Sequence, residues 1–149
     1  MPLSPAASHG RVTASLAPAL LALCLLVGCG GDSPAQAQVR ATLNRLGKAV
    51  AAHDYATVCD KLLAPSLTDQ FSSIGLPCPT GLASGLDLAR APHLTVRSVS
   101  VSGTRATAVV HTTAANQPPS DDTVALERVQ GSWRVSSPPR RTPPGLPKR

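Results

Sequence analysis

The chain has 149 residues, with 14 Lys or Arg against 8 Asp or Glu and a formal net charge of +6. Domains that bind nucleic acid concentrate basic residues on one face and usually add stacking aromatic side chains. Here one Trp, one Tyr and one Phe are present, and several of the bases lie in the last twelve residues, namely Arg140, Arg141, Lys148 and Arg149. The remainder is nearly balanced in charge, so the composition argues against a dedicated nucleic-acid binder, and we expect no nucleic-acid partner.

The first 28 residues have the organisation of a secretory signal peptide. Residues 1–13 carry no acidic side chain and two basic groups, His9 and Arg11. Residues 16–27 are almost entirely apolar, and a run of about a dozen residues matches a signal-peptide core while being too short for a transmembrane helix, which needs roughly 20. We therefore expect residues 1–28 to direct export and to be removed.

The apolar run ends in Leu26-Val27-Gly28-Cys29, which resembles the bacterial lipobox. In that motif small residues precede a cysteine whose thiol receives a diacylglyceryl group before cleavage on its amino side. Cys24 follows a bulky leucine and does not suit the same peptidase. The resemblance implies that Cys29 is lipidated with palmitate-type acyl chains, that the mature chain is anchored in membrane lipid on the extracytoplasmic face of the cell membrane, and that residues 29–37 form a short tether. The alternative is an ordinary secretory peptide with no lipid.

Two cysteines remain in the expected mature chain, Cys59 and Cys78. An even pair in an oxidising compartment indicates a disulfide. A reactive or metal-binding pair is the alternative, but the sequence has neither a Cys-x-x-Cys motif nor a histidine at ligand spacing. We expect no metal site and no cofactor.

The first part of the mature chain has helical patterns. Residues 35–52 predict an amphipathic helix, because apolar residues recur at spacings of three and four, namely Val39, Leu43, Leu46 and Val50. Asp54 can cap a second helix that ends before Pro65 and starts with Tyr55 in the core. Residues 66–73 predict a short helical or irregular piece, and a further short helix runs from Cys78 to about residue 89.

After Pro92 the sequence becomes rich in Val and Thr. Residues 94–102 and 105–113 predict a β-hairpin, and residues 123–129 and 132–136 predict a second one whose Trp133 faces the helices. In the first strand the apolar residues change from even to odd numbers, which indicates a β-bulge near Arg97 and Ser98. The prediction is an α+β domain over residues 38–137, with N-terminal helices packed on a curved antiparallel sheet.

The helix pair over residues 39–63, with Asp54-Tyr55 opening its second helix, and the closing hairpin over residues 126–135 resemble the nuclear transport factor 2-like (ketosteroid isomerase-like) superfamily. The resemblance covers residues 35–137. It implies a cone-shaped domain with an open-mouthed cavity. Some members are isomerases, dehydratases or cyclases, and many only bind ligands or partners, so the resemblance leaves the activity open.

Three functional hypotheses follow. The first is a non-enzymatic domain of the cell envelope that binds a small apolar ligand or another envelope protein. The second is a small cavity enzyme of the isomerase, dehydratase or cyclase type that uses His111, which shares its strand face with Thr107 and Val109. The histidine acts as a base only if that face lines the cavity; a solvated side chain is the alternative.

The third hypothesis concerns residues 138–149, where prolines alternate with Arg and Lys. This composition cannot build a core, and it predicts a disordered tail. Its basic residues would be attracted to anionic lipid head groups or cell-wall polymers, with a plain solvated tail as the alternative. The sequence leaves open the oligomeric state, and a cavity collapsed onto leucines, which would make the domain a structural spacer.

Overall fold

A computed structural model describes residues 31–141 of the chain. These residues belong to one compact unit, Gly31–Arg149, which has its own hydrophobic core. The predicted signal peptide, the predicted lipidation site Cys29 and the last residues of the chain, 142–149, lie outside the described residues. Within the described part of the chain, no helix has both the length and the apolar character needed to cross a bilayer.

The sheet is preceded by the helices α1 (Pro34–Ala51), α2 (Tyr55–Thr57), α3 (Pro65–Ser73) and α4 (Cys78–Leu86). Helix α1 begins with a capping box: Ser33 Oγ accepts the Gln36 amide at 3.3 Å, and Gln36 Oε1 accepts the Ser33 amide at 2.7 Å. The box satisfies two amides that would otherwise be free at the helix start. The expected tether of residues 29–37 is therefore too long, since residues 34–37 already belong to α1.

The sequence predicts a single α-helix after Asp54, but the structure divides it. Helix α2 continues directly into a π-helical segment (Val58–Leu62), in which the Leu63 amide donates to the Val58 carbonyl at 3.0 Å. Arg134 Nη1 donates to carbonyls at the end of this segment, at 3.0 Å from Asp60 O and 3.2 Å from Leu63 O. The last turn is thus held to the sheet by a side chain from the final hairpin, which satisfies carbonyls that have no partner within the helix.

The predicted disulfide is present. The sulfur atoms of Cys59 and Cys78 are bonded, with 6.1 Å between the two Cα atoms. The bond joins the π-helical segment to the first residue of α4. A pair of this kind has no free thiolate, so the alternative of a reactive or metal-binding pair does not apply to it.

The sheet is an antiparallel meander of β1 (His93–Ser102), β2 (Arg105–Ala114), β3 (Gln117–Val129) and β4 (Ser132–Val135), in chain order. The predicted bulge is confirmed, because the β1–β2 register shifts between Val96 and Ser98. Arg40 Nη1 donates to Val96 O at 3.1 Å. The carbonyl at the bulge is therefore bound by α1.

Strand β3 begins earlier than the sequence pattern predicts, at Gln117 instead of Thr123. Its early part contains Pro118 and Pro119, which cannot donate backbone hydrogen bonds and normally occur at sheet edges. The structure places them at such an edge, because β4 pairs only with residues 126–129 of β3.

The tail predicted as disordered also contains a short strand. Strand β5 (Arg140–Arg141) pairs with Thr123 and Asp122 of β3. The prediction of disorder from residue 138 onward is therefore wrong for Arg140 and Arg141. An edge strand has unpaired backbone groups that readily accept a further strand, and β3 has that edge here.

The helices cover one face of the sheet, and the core lies between the two layers. Along β2 and β3 the even-numbered side chains point inward and are buried, namely Ala106, Ala108, Val110, Val124 and Leu126. They form one cluster with Leu43 of α1 and Leu62 of the π-helical segment. Trp133 joins the same core at 3% exposure, as the sequence predicts. The α+β class, with helices on one face of an antiparallel sheet, is confirmed.

Candidate ligand-binding site

A cavity of about 290 Å³ lies at one end of the inner sheet face. It is bounded by α1, by the segment that leads from α4 to β1, and by the adjoining ends of β1, β2 and β3. Most of its wall is apolar, from Leu86, Ala89, Pro92, Leu94, Pro118 and Pro139. The polar side chains on its inner surface are Thr112, Ser120 and Asp122.

Space for the cavity depends on a glycine in α1. Gly47 faces β1 so closely that a Cβ atom at this position would lie 3.2 Å from Leu94 Cβ, which is a tight contact. Glycine permits such an approach because it has no side chain. The helix therefore passes the cavity without filling it.

The strand register brings the polar side chains together. Thr112 lies opposite Ser120, and Val110 lies opposite Asp122, in the β2–β3 ladder. Because side chains alternate between faces along a strand, Asp122 and Ser120 continue the inward series of Val124. The two hydroxyls and the carboxylate thus meet on the inner face, at the end that the helices leave open.

The three side chains form one hydrogen-bonded network. Ser120 Oγ donates to Asp122 Oδ2 at 2.7 Å. Thr112 Oγ1 lies 2.8 Å from Ser120 Oγ and 3.3 Å from the same Asp122 oxygen. All three residues are half-buried. The hydroxyls therefore fix the orientation of the carboxylate at the inner end of the cavity.

The segment that closes the cavity between α4 and β1 is held by Asn116 in the β2–β3 turn. The Arg90 amide donates to Asn116 Oδ1 at 2.8 Å, and Asn116 Nδ2 donates to Leu88 O at 2.7 Å. The Ala115 amide adds a bond of 2.8 Å to Arg90 O. These bonds connect the wall containing Ala89 to the strands opposite.

A second polar cluster fixes the end of α4, immediately before the cavity wall. Tyr55 Oη donates to Asp87 Oδ1 at 2.7 Å, and His53 Nδ1 lies 3.0 Å from the same oxygen. Burial of the Tyr55 ring, together with the adjacent carboxylate, raises the pKa of Tyr55 to about 12. The bonds from Tyr55 and His53 lower the pKa of Asp87. We assign this cluster a structural role, because it ties α4 to the α1–α2 corner.

His111, the catalytic candidate from the sequence, lies on the other face of the sheet. Its neighbours in β2, Val110 and Thr112, point inward, so its own side chain points outward. His111 Nδ1 bonds Asp121 Oδ1 at 2.8 Å across the β2–β3 ladder. The face shared with Thr107 therefore does not line the cavity, and the condition for His111 to act as a base there is not met.

Thr112, Ser120 and Asp122 are not among the site residues predicted from the sequence. The strand alternation could have indicated two of them. Every second residue of a strand lies on the same face, so Asp122 and Ser120 share the face of the apolar residues Leu126 and Val124. Ser120 and Asp122 lie in or next to a segment that contains two prolines, and the sequence pattern does not predict a strand there. Among residues 31–141, no three His, Cys, Asp or Glu side chains group in a way that would hold a metal ion.

No protein-family model and no curated protein matches the chain. It is similar to the crystal structure of an NTF-2-like protein of unknown function from Silicibacter pomeroyi, with 21% identity over 70% of this chain and 94% of that chain, and a TM-score of 0.50. It is also similar to a SEC-C motif containing protein from Rhodopseudomonas palustris, with 17% identity over 65% of this chain and 73% of that chain, and a TM-score of 0.47. The first similarity shows that the fold is NTF-2-like. The similarity does not indicate an activity.

Proposed function

We propose that the chain is a lipid-anchored extracytoplasmic protein whose NTF-2-like domain binds a small, largely apolar molecule in the cavity beside Gly47. The observation that carries the proposal is the cavity of about 290 Å³, with apolar walls and an oriented polar network at its inner end. Binding sites for small molecules combine these two properties. Since a cavity of about 150 Å³ holds benzene, this one has room for about a dozen non-hydrogen atoms.

The side chains around the cavity favour binding over catalysis. Acid–base catalysis needs titratable groups within hydrogen-bond reach of the same reacting atoms. Among the described residues that line the cavity, the ionisable ones are His93 and Asp122. His93 is exposed at the rim, opposite the outward-facing Thr113, while Asp122 lies at the inner end. His111 is on the far face of the sheet.

The lipid anchor rests on the lipobox resemblance at Cys29. Because α1 begins at Pro34, residues 29–33 remain as the connection between the lipid and the domain, and five residues span at most roughly 17 Å. Two acyl chains suffice for stable anchoring. The cavity would therefore be held close to the membrane surface, where apolar molecules concentrate.

The anchor is tested by expressing the full chain in a bacterial host and labelling it with radioactive palmitate. We expect label in the membrane fraction and cleavage before Cys29, both abolished in Cys29→Ala. Cys24→Ala is the matched control and should keep label and cleavage. A secreted, unlabelled wild-type chain would contradict the anchor and support the ordinary secretory peptide.

The cavity is tested on residues 31–149, which contain the complete core. Titration with 1-hexanol or benzyl alcohol, followed by amide NMR, should shift the signals of Leu94, Thr112 and Ala114. Ala89→Leu places a larger side chain in the cavity wall and should weaken binding at least tenfold. Ala56→Leu is the control, because Ala56 is exposed on α2, and it should bind as wild type does. Equal chemical-shift changes in the wild type and in Ala89→Leu would contradict the proposed site.

A further inference from the structure

Among residues 31–141, the side chains at the inner end of the cavity offer hydrogen-bond acceptors and no free hydroxyl donor. A serine or threonine hydroxyl has one proton to donate. Ser120 directs its proton to Asp122 Oδ2. Thr112 Oγ1 has its acceptors inside the same network, at Ser120 Oγ and Asp122 Oδ2. Both protons are therefore used within the network, and what faces a ligand is the carboxylate and the oxygen lone pairs.

One oxygen of this carboxylate remains available. The hydroxyl bonds end on Asp122 Oδ2, and in the described part of the chain no side chain donates to Oδ1. An ionised carboxylate only accepts hydrogen bonds. A ligand atom that binds here therefore has to be a donor.

Asp122 forms no ion pair with a described side chain. The ion pairs in residues 31–141 are Arg40–Asp32, His53–Asp87 and His111–Asp121. The described residues that line the cavity include neither Lys nor Arg, and their one histidine, His93, is at the exposed rim. Arg141 lies directly opposite Asp122 in the β3–β5 ladder and therefore on the same face of the sheet, but its side chain is exposed and forms no ion pair with the carboxylate.

A carboxylate beside apolar walls interacts with a cation more strongly than it does in bulk water, because the surroundings screen the charges less. A neutral donor gains the hydrogen bond without this attraction, and an anion is repelled. Hydrogen bonds to charged groups are also the stronger ones.

We infer that the ligand is a small amphiphilic amine, whose ammonium group binds Asp122 at the inner end of the cavity and whose apolar part lies along Leu94, Ala89 and Leu86. The inference rests on the proposed function, since it specifies the chemical class bound at the same site. The proposed ligand binds Asp122 and not its neighbour Asp121, because Asp121 faces outward and is paired with His111.

The experiment compares three probes with the same apolar part: hexylammonium, 1-hexanol and hexanoate, titrated at pH 7 into residues 31–149 and followed by NMR. We expect hexylammonium to bind at least tenfold more tightly than 1-hexanol, and hexanoate more weakly than either. Asp122→Asn keeps the size of the side chain and removes its charge, so the two affinities should become equal within about threefold. Asp121→Asn is the matched control and should keep the tenfold preference.

The possible outcomes separate the two proposals. Equal affinities of the wild type for hexylammonium and 1-hexanol would overturn the amine inference and leave the binding cavity intact. Failure of all three probes to bind would overturn the cavity proposal as well. Loss of the preference in Asp121→Asn would place the charge effect outside the cavity and overturn the inference. If Asp122→Asn does not fold, the ratio of the wild-type affinities for hexylammonium and 1-hexanol decides.

Discussion

The two ends of the inner sheet face differ although the same strands and the same helix form both. At the packed end Leu126 of β3 is 1% exposed and lies in the core with Leu43 of α1. At the open end β3 has Ser120 and Asp122, and α1 has Gly47. Leu43 and Gly47 are four residues apart, hence on one side of the helix. Along this stripe the leucine lies at the packed end and the glycine at the open end, so the space between helix and sheet is a core at one end and a cavity at the other.

The largest loss of stability should come from shortening a buried side chain at the packed end. Leu126→Ala should reduce the free energy of unfolding by about 3–4 kcal/mol, because it removes a buried side chain and leaves a void. Leu94→Ala at the open end should cost about 1 kcal/mol, since Leu94 is only half-buried and borders space that already exists. Urea unfolding followed by circular dichroism measures both. Equal losses would mean that the two ends are packed alike.

The disulfide should contribute nearly as much to the packed end. It closes a loop between Cys59 and Cys78, 19 residues apart, and the chain-entropy model gives about 3 kcal/mol for a loop of this length. The double variant Cys59→Ala/Cys78→Ala should lose this amount in the same unfolding assay. Reduced wild type is the control and should lose a similar amount; an unchanged midpoint in both would show that the bond does not brace the domain.

Gly47→Ala should affect the two ends differently. Alanine raises helix propensity by about 1 kcal/mol over glycine, but its Cβ would meet Leu94 Cβ at 3.2 Å. Leu94 borders the cavity and has room to shift, so we expect stability within about 1 kcal/mol of wild type and weaker binding of 1-hexanol, by several-fold. Unfolding and NMR titration measure the two effects. Strongly reduced stability with unchanged binding would contradict the role assigned to this glycine.

The smallest effect concerns the connection between the packed end and the cavity wall. Tyr55 is the only tyrosine in the chain, so its absorbance can be titrated without interference. The midpoint should lie near 12 instead of 10. Because burial of the phenol and the adjacent Asp87 raise the folded-state pKa of Tyr55, the neutral Tyr55 stabilises the fold below pH 10, and this contribution is lost as the pH rises through about 12.

Asp87 follows the opposite rule. Its folded-state pKa is lowered from 3.8, so it stabilises the fold above that pH and loses this contribution as the pH falls through its folded value. Tyr55→Phe should raise the pKa of Asp87 towards the ordinary range, as seen by carboxyl NMR. A tyrosine midpoint near 10 in the wild type would contradict the cluster.

Much of the fold could be predicted from the sequence because it depends on local patterns. The apolar stripe of α1, the hairpins and the bulge near Arg97 are all visible as periodicity. The π-helical segment was missed because its spacing differs little from that of an α-helix over so few residues. The early part of β3 was missed because Pro118 and Pro119 argue against a strand unless the edge position is known, and that position depends on where β4 ends.

The site was predicted less well than the fold. His111 was a candidate because it is an ionisable residue in the middle of a predicted strand. The alternation along one strand does not show which of its two faces points toward the helices. Asp122 lies just before the predicted strand over residues 123–129, and the role of Gly47 depends on the distance to Leu94. Such features follow from the packing of distant segments, which no local pattern encodes.

Intermolecular NOEs to bound hexylammonium would show whether the open end of the inner sheet face binds a ligand. We expect contacts from the methyl group of the probe to the methyl groups of Leu94 and Ala89, all lost in Ala89→Leu. The alternative is adsorption to exposed apolar side chains, of which Ile74 and Leu88 are each 73% exposed. Contacts confined to those two residues would contradict the proposed binding site.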